Sequence, residues 1–185
     1  MARVEDPCPH SPVPTRARAY MCVLGQNTVV RRKYDYRRKL PHLQKDYRPV
    51  FVTFATHRRW HLPETVRRLV LDCCLKQNGN MIDLHVAVVM PDHVHLIFSL
   101  RSDRDGPFSV VEVMHAIKGA SAHAINQALR RRGRVWQEES FDHVLRSNES
   151  LGQKIDYLCQ NPVRAGLVKT PEEYPWLWRG AVPVL

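Results

Sequence analysis

The first sustained apolar pattern begins at Val50, where Val50-Phe51-Val52-Thr53-Phe54-Ala55-Thr56 is β-branched and aromatic and reads as a strand. Pro63 to Gln77 changes to helical spacing, with Val66, Leu69, Val70 and Cys73 on one face and Asn78-Gly79 as a stop. Met81 to Met90 and His93 to Leu100 are two further strand-like runs. Pro91-Asp92 between them cannot continue a ladder, so the two runs read as a hairpin. Ser109 to Arg132 carries Val110, Val113, Met114, Ile117, Ser121, Ala124, Ile125 and Ala128, the stripe of a long amphipathic helix. An extended piece around Phe141 to Arg146 follows. Asn148 is placed to cap a last helix ending near Asn161, because Pro162 disfavours helical geometry in the residue before it.

The order is βαββαβ plus a helix, which predicts an α+β, ferredoxin-like fold: an antiparallel sheet with both main helices on one face. The other face is then free to carry a site and the added C-terminal helix. Three regions result: a leader and arm over 1–48, a domain over 49–168, and a tail over 169–185 that holds Trp176 and Trp178 and reads as folded back on the body. The first 28 residues carry Pro7, Pro9, Pro12 and Pro14 without an apolar period and read as a leader.

Composition narrows the class. With 44% hydrophobic and 25% charged residues, the 185-residue chain has the balance of one ordinary core with extensions, which excludes disordered, collagen-like and coiled-coil readings. The net charge of +10 makes a polyanion the first partner to consider, and its distribution is uneven. Residues 1–48 hold 11 basic against 4 acidic side chains, net +7, which leaves only +3 for the rest. Within that arm, Arg31, Arg32, Lys33, Arg37, Arg38 and Lys39 interleave with Tyr34 and Tyr36, so phosphate neutralisation and base stacking are both on offer. A solvated linker would have a similar composition. Five cysteines without framework spacing and no secretory leader predict a cytoplasmic protein with free thiols. Cys73 and Cys74 are adjacent and lack the spacing of a zinc pair. The most apolar stretch, Met81 to Leu100, contains Asp83, His85, Asp92, His93 and His95, too polar for a membrane span.

Two features carry chemistry. His93 and His95 flank Val94, and on a strand they leave one face while Val94, Leu96 and Phe98 leave the other. Two imidazoles on one face form a two-point clamp for a divalent metal, or else a pair of half-buried sheet histidines. On the last helix, Leu151, Ile155 and Leu158 make one stripe, while Lys154, Tyr157 and Asn161 make a second. A phenol is a weak nucleophile at neutral pH unless a base takes its proton or a metal polarises the electrophile, so a catalytic Tyr157 wants a metal beside it, with Asn161 able to add an oxygen ligand. Alternatively Tyr157 packs its ring and leaves its hydroxyl at the surface.

The strand VVMPDHVHLIF, the stretch MHAIKG, the block VWQEESFDHVLR and the ending YLCQNPVRAGLV, in this order, resemble the HUH-type single-tyrosine transposases, most closely their REP-associated branch. The likeness spans about Arg48 to Val168. It implies an enzyme that cuts and rejoins single-stranded DNA beside hairpins through a 5′-phosphotyrosine. Carried over by position, it implies Tyr157 as nucleophile, His93 and His95 as ligands of Mg2+ or Mn2+, and Asn161 as third ligand. Lys118 and Lys154 become candidates for touching phosphate. Asp92 stands where Asn is more usual in that family. No Walker-type loop is present, in keeping with strand transfer that needs no nucleotide cofactor. A monomer or a homodimer would serve. The rival expectation is a non-catalytic RNA- or DNA-binding module of the same layout, with aromatics on an open sheet face.

Overall fold

The structure is a computed structural model that describes residues 48–145 and 150–180. The arm residues Arg31, Arg32, Lys33, Arg37, Arg38 and Lys39 and the capping candidate Asn148 lie outside them. In chain order the elements are β1 (Val50–Ala55), α1 (Glu64–Leu75), β2 (Ile82–Val89), β3 (His93–Leu100), β4 (Ser102–Asp103), β5 (Gly106–Pro107), α2 (Val110–Ala128), β6 (Phe141–Val144), α3 (Leu151–Cys159), α4 (Asn161–Arg164) and β7 (Leu177–Arg179). The five-stranded sheet runs β6-β1-β3-β2-β7 with antiparallel neighbours throughout, and β4 and β5 form a separate small hairpin. Four of the five strands follow the expected βαββαβ order, and the fold is the ferredoxin-like one.

Strand alternation sorts the core onto two faces. Val52 and Phe54 of β1 and Val94, Leu96 and Phe98 of β3 are buried with Val66 and Val70 of α1 and Val113, Ile117 and Ile125 of α2. Trp136 closes this layer, its ring 4.9 Å from that of Phe54 and its indole N–H donating to the buried Ser121 hydroxyl at 3.0 Å. The opposite face buries Val86, Val88 and Ile97 with Ile155, Leu158 and Cys159 of α3. Strand β2 is buried on both faces, and its register slips between Leu84 and Val86, leaving His85 as the extra residue of a bulge. Alternation is reversed past that point, so Leu84 belongs to the first layer and Val86 to the second. Cys73, Cys74 and Cys159 are buried free thiols.

Three local expectations change. Ser150, rather than Asn148, caps α3 and accepts from Gln153 N–H at 3.3 Å. Helix α3 ends at Cys159, two residues early, and Asn161 opens the new turn α4 rather than closing α3. Pro162 is tolerated in the first turn of α4 because its missing N–H would have no helical acceptor there. The tail is more than folded back: β7 pairs with β2 and adds a fifth strand, while buried Tyr174 donates its hydroxyl to Val89 C=O at 2.8 Å. Among the described residues no helix is long and apolar enough to cross a membrane.

Candidate active site

The site lies on the face that α3 covers. Because β3 alternates, burying Val94, Leu96 and Phe98 against α1 and α2 forces His93 and His95 out toward α3. Their outer nitrogens are already engaged. His95 Nδ1 lies 2.8 Å from Thr53 Oγ1, its cross-strand partner on β1, and His93 Nδ1 lies 2.6 Å from Asp92 Oδ1. The two Nε2 atoms face one another at 3.0 Å. Oxygen partners on Nδ1 fix ring orientation and leave Nε2 for whatever enters the site, which is the usual arrangement around metal-binding imidazoles.

Electrostatics favour a neutral pair member. Burial, with His93 adding to it and Asp92 opposing it, lowers the His95 imidazole to about 3. It is therefore an uncharged lone-pair donor at neutral pH, as a metal ligand must be. Burial pushes the Asp92 carboxyl up, but the hydrogen bond and charge of His93, with Arg59 at 3.2 Å, outweigh this and hold it below its ordinary value.

Helix α3 supplies the second half. Ile155 and Leu158 are fully buried and pin the helix to the sheet, an anchoring worth about 1.5–3 kcal/mol per side chain. Asp156 also pairs with Arg179 of β7 at 2.9 Å. The expected second stripe is real: Lys154, Tyr157 and Asn161 line one cleft with Phe51, Met90, His93, His95, Leu158, Arg164 and Ala165, about 470 Å³ in volume. Of the two tyrosines among the described residues, Tyr174 is buried and hydrogen-bonded, whereas Tyr157 is 51% exposed beside the histidine pair. Lys154 Nζ sits 5.2 Å from the Phe51 ring centroid and 5.7 Å from that of Tyr157. Lys118 is not among the lining residues; its Nζ donates to Glu138 C=O at 2.9 Å and to Ser140 Oγ at 3.2 Å.

Sequence reasoning missed three groups here. Arg164 places its guanidinium 4.1 Å from the Tyr157 ring centroid. Its spacing from Tyr157, seven residues, was a usable signal, because positions seven apart share a helical face. Phe51 stacks on His95 with centroids 5.8 Å apart and planes at 26°. Thr53 orients His95 through the β1–β3 register, which no single strand's sequence reveals.

The donor set can be tested for a metal. Among the described residues no group of three His, Cys, Asp or Glu is arranged to hold an ion. The Nε2 atoms of His93 and His95, 3.0 Å apart, and the Asn161 amide do line one cleft, a nitrogen and oxygen donor set of the kind that divalent ions take. These residues therefore fit a divalent ion. They do not suit an open RNA-recognition face, since Phe51 is already stacked on His95 and capped by Lys154.

The chain is 26% identical over 127 residues to the REP-associated tyrosine transposase of Escherichia coli (strain K12), covering 68% of this chain and 72% of the relative. A solved structure of a REP-associated tyrosine transposase bound to a REP hairpin superposes with a TM-score of 0.58 at 24% identity, covering 71% of this chain and 76% of that one. That likeness carries the fold. The family model described as "Transposase IS200 like" matches residues 41–158, a span that contains the histidine pair and Tyr157. The chain accordingly belongs to the IS200-like, single-tyrosine transposase family of DNA strand-transfer enzymes.

Proposed function

We propose that this chain cleaves and rejoins single-stranded DNA beside hairpins, with Tyr157 as nucleophile and a divalent ion, Mg2+ or Mn2+, held by His93, His95 and Asn161. The observation that carries the reading is the cleft in which an exposed tyrosine faces two imidazoles whose Nε2 atoms converge. The Tyr157 hydroxyl attacks the scissile phosphorus, a Tyr–O–P bond forms, and the P–O3′ bond breaks. The phenol's proton is lost and the departing oxygen gains one, leaving a free 3′-hydroxyl and a 5′-phosphotyrosine. Attack by a 3′-hydroxyl reverses the sequence and rejoins strands, so bond energy is kept and no nucleotide is consumed. The bound ion would act as a Lewis acid on the phosphate. Lys154 and Arg164 add fixed positive charge where negative charge accumulates, and Thr53 and Asp92 keep both imidazoles aimed.

Hairpin-bearing single strands are favoured over duplex on mechanical grounds. The backbone must bend to bring one phosphate into the cleft between Tyr157 and the histidine pair, and duplex DNA resists bending over about 150 base pairs of persistence length. One sequence presented as an unstructured strand, as a hairpin with a single-stranded flank, and as full duplex tests this. Cutting is expected in the flank of the hairpin substrate and to stop with excess chelator. Equal or faster cutting of the duplex, or undiminished cutting in chelator, would contradict the reading.

A further inference from the structure

Two loops bring six arginines to one end of the sheet. Arg58 and Arg59 follow β1, and Arg130, Arg131, Arg132 and Arg134 follow α2. The loops are joined by backbone bonds from His57 N–H to Val135 C=O at 2.7 Å and from Gln137 N–H to Ala55 C=O at 2.9 Å. The Arg131 guanidinium lies 4.4 Å from the Trp60 ring centroid and donates to Arg134 C=O at 3.2 Å, tying one loop's side chain to the other. The patch is linked to the active cleft through Asp92: Arg59 pairs with the same carboxylate that holds His93.

The backbone shows what these loops are shaped for. Among the described residues, the non-glycine positions with positive φ are Arg58 (φ 56°), Arg59 (φ 54°) and Arg130 (φ 48°). Glycine or asparagine would adopt this conformation more readily, and a long side chain there is strained. Strain of this kind persists where function repays it. Three strained arginines in two adjoining loops fit a surface that presents guanidinium groups, because a turn needing only flexibility would be met by glycine. Arg58, Arg59, Arg130, Arg132 and Arg134 are exposed. The carboxylates paired with them among the described residues are Asp92, on Arg59, and Glu138, 4.0 Å from Arg134.

We infer that this patch grips the phosphates of the double-stranded hairpin stem, resting on the reading that hairpin-bearing DNA is the substrate. The patch suits a stem better than an unpaired strand because it offers cations without a free stacking platform: Trp60 is covered by Arg131 and packs on the core. Phosphate contacts of this kind set position and register without reading sequence. The stem held beside Asp92 leaves its single-stranded flank to enter the cleft at His93.

The test uses the full chain carrying Arg58→Gly, Arg130→Gly and Arg132→Ala together. The two glycines relieve strain at positive φ, so folding is not put at risk, and thermal unfolding confirms it. Dissociation constants are measured across a salt series for three labelled oligonucleotides: a hairpin with a single-stranded flank, the same with a scrambled but paired stem, and the flank alone. The expected result is binding weaker by about tenfold or more on both hairpins, with little change on the flank. The slope of log affinity against log salt should also become shallower by roughly 0.9 for each stem phosphate that the variant no longer neutralises. Unchanged hairpin affinity, or an equal or larger weakening on the flank alone, overturns the proposal. Covalent adduct formed by the unaltered protein is read in the same samples after denaturation. Its absence would count against Tyr157 chemistry and not against the patch.

Discussion

The guanidinium of Arg164 lies over the ring of Tyr157, 4.1 Å from its centroid, on a different helix from the tyrosine. The contact holds the phenol over the cleft and places a permanent cation beside the phosphate that the phenol would attack. Arg164→Ala is expected to slow covalent adduct formation at saturating DNA by tenfold or more, on the scale of losing one charge-stabilising group, roughly 10²-fold at most for a partly exposed site. Arg164→Lys should recover part of the rate. Equal rates for Arg164→Ala and wild type would mean the contact only packs the ring.

Thr53 acts through His95. Thr53→Val keeps the shape but leaves His95 Nδ1 without its 2.8 Å partner. Mn2+ affinity, measured by calorimetry, is expected to fall about 10–100-fold, the usual loss when a group orienting a ligand is removed. Unaltered Mn2+ binding would detach Thr53 from the site.

The fifth strand depends on Tyr174, whose hydroxyl donates to Val89 C=O at 2.8 Å in a buried position. Tyr174→Phe removes the donor and strands the carbonyl, at a cost of about 1–3 kcal/mol in urea unfolding. A midpoint equal to that of the wild type would show that water replaces the missing donor.

His85, at the bulge of β2, supplies a pH dependence. Burial lowers its imidazole below 6.5, only partly opposed by Asp83, and its Nε2 lies 2.9 Å from Ser99 Oγ. The unfolded chain therefore takes up the proton first as pH falls, and the folded state loses stability from about pH 6.5 downward, keeping its full value above. His85→Gln should flatten the stability profile below pH 6.5 relative to wild type. His95 titrates in both proteins, so the difference isolates His85. Superimposable slopes would contradict this.

Much of this architecture is legible in the chain because alternation and helical period are local properties. His93 and His95 follow from β3 alone, and Lys154 with Tyr157 from α3 alone. What depends on register or on a second element is not legible: Thr53 reaches His95 only through the pairing of β1 with β3, and β7 is recognisable only against the edge of β2. The bulge at His85 also escapes, since an inserted residue in an apolar run leaves no break in the pattern. Asn161 reads as part of α3 because the helical phase nearly continues; the chain restarts in α4 and still brings its side chain to the cleft. The arginine patch is invisible for the same reason as Thr53, because its two halves are more than 70 residues apart and meet only after folding.

The central claim is that Tyr157 becomes covalently attached to DNA. A labelled hairpin oligonucleotide with a single-stranded flank is incubated with the full chain and Mg2+ or Mn2+, denatured and resolved on a gel. The wild type is expected to yield a denaturation-resistant protein–DNA adduct carrying the 5′-phosphate side of the cut. Tyr157→Phe is expected to bind the hairpin with unchanged affinity and to yield none. An adduct of undiminished intensity with Tyr157→Phe would contradict the account.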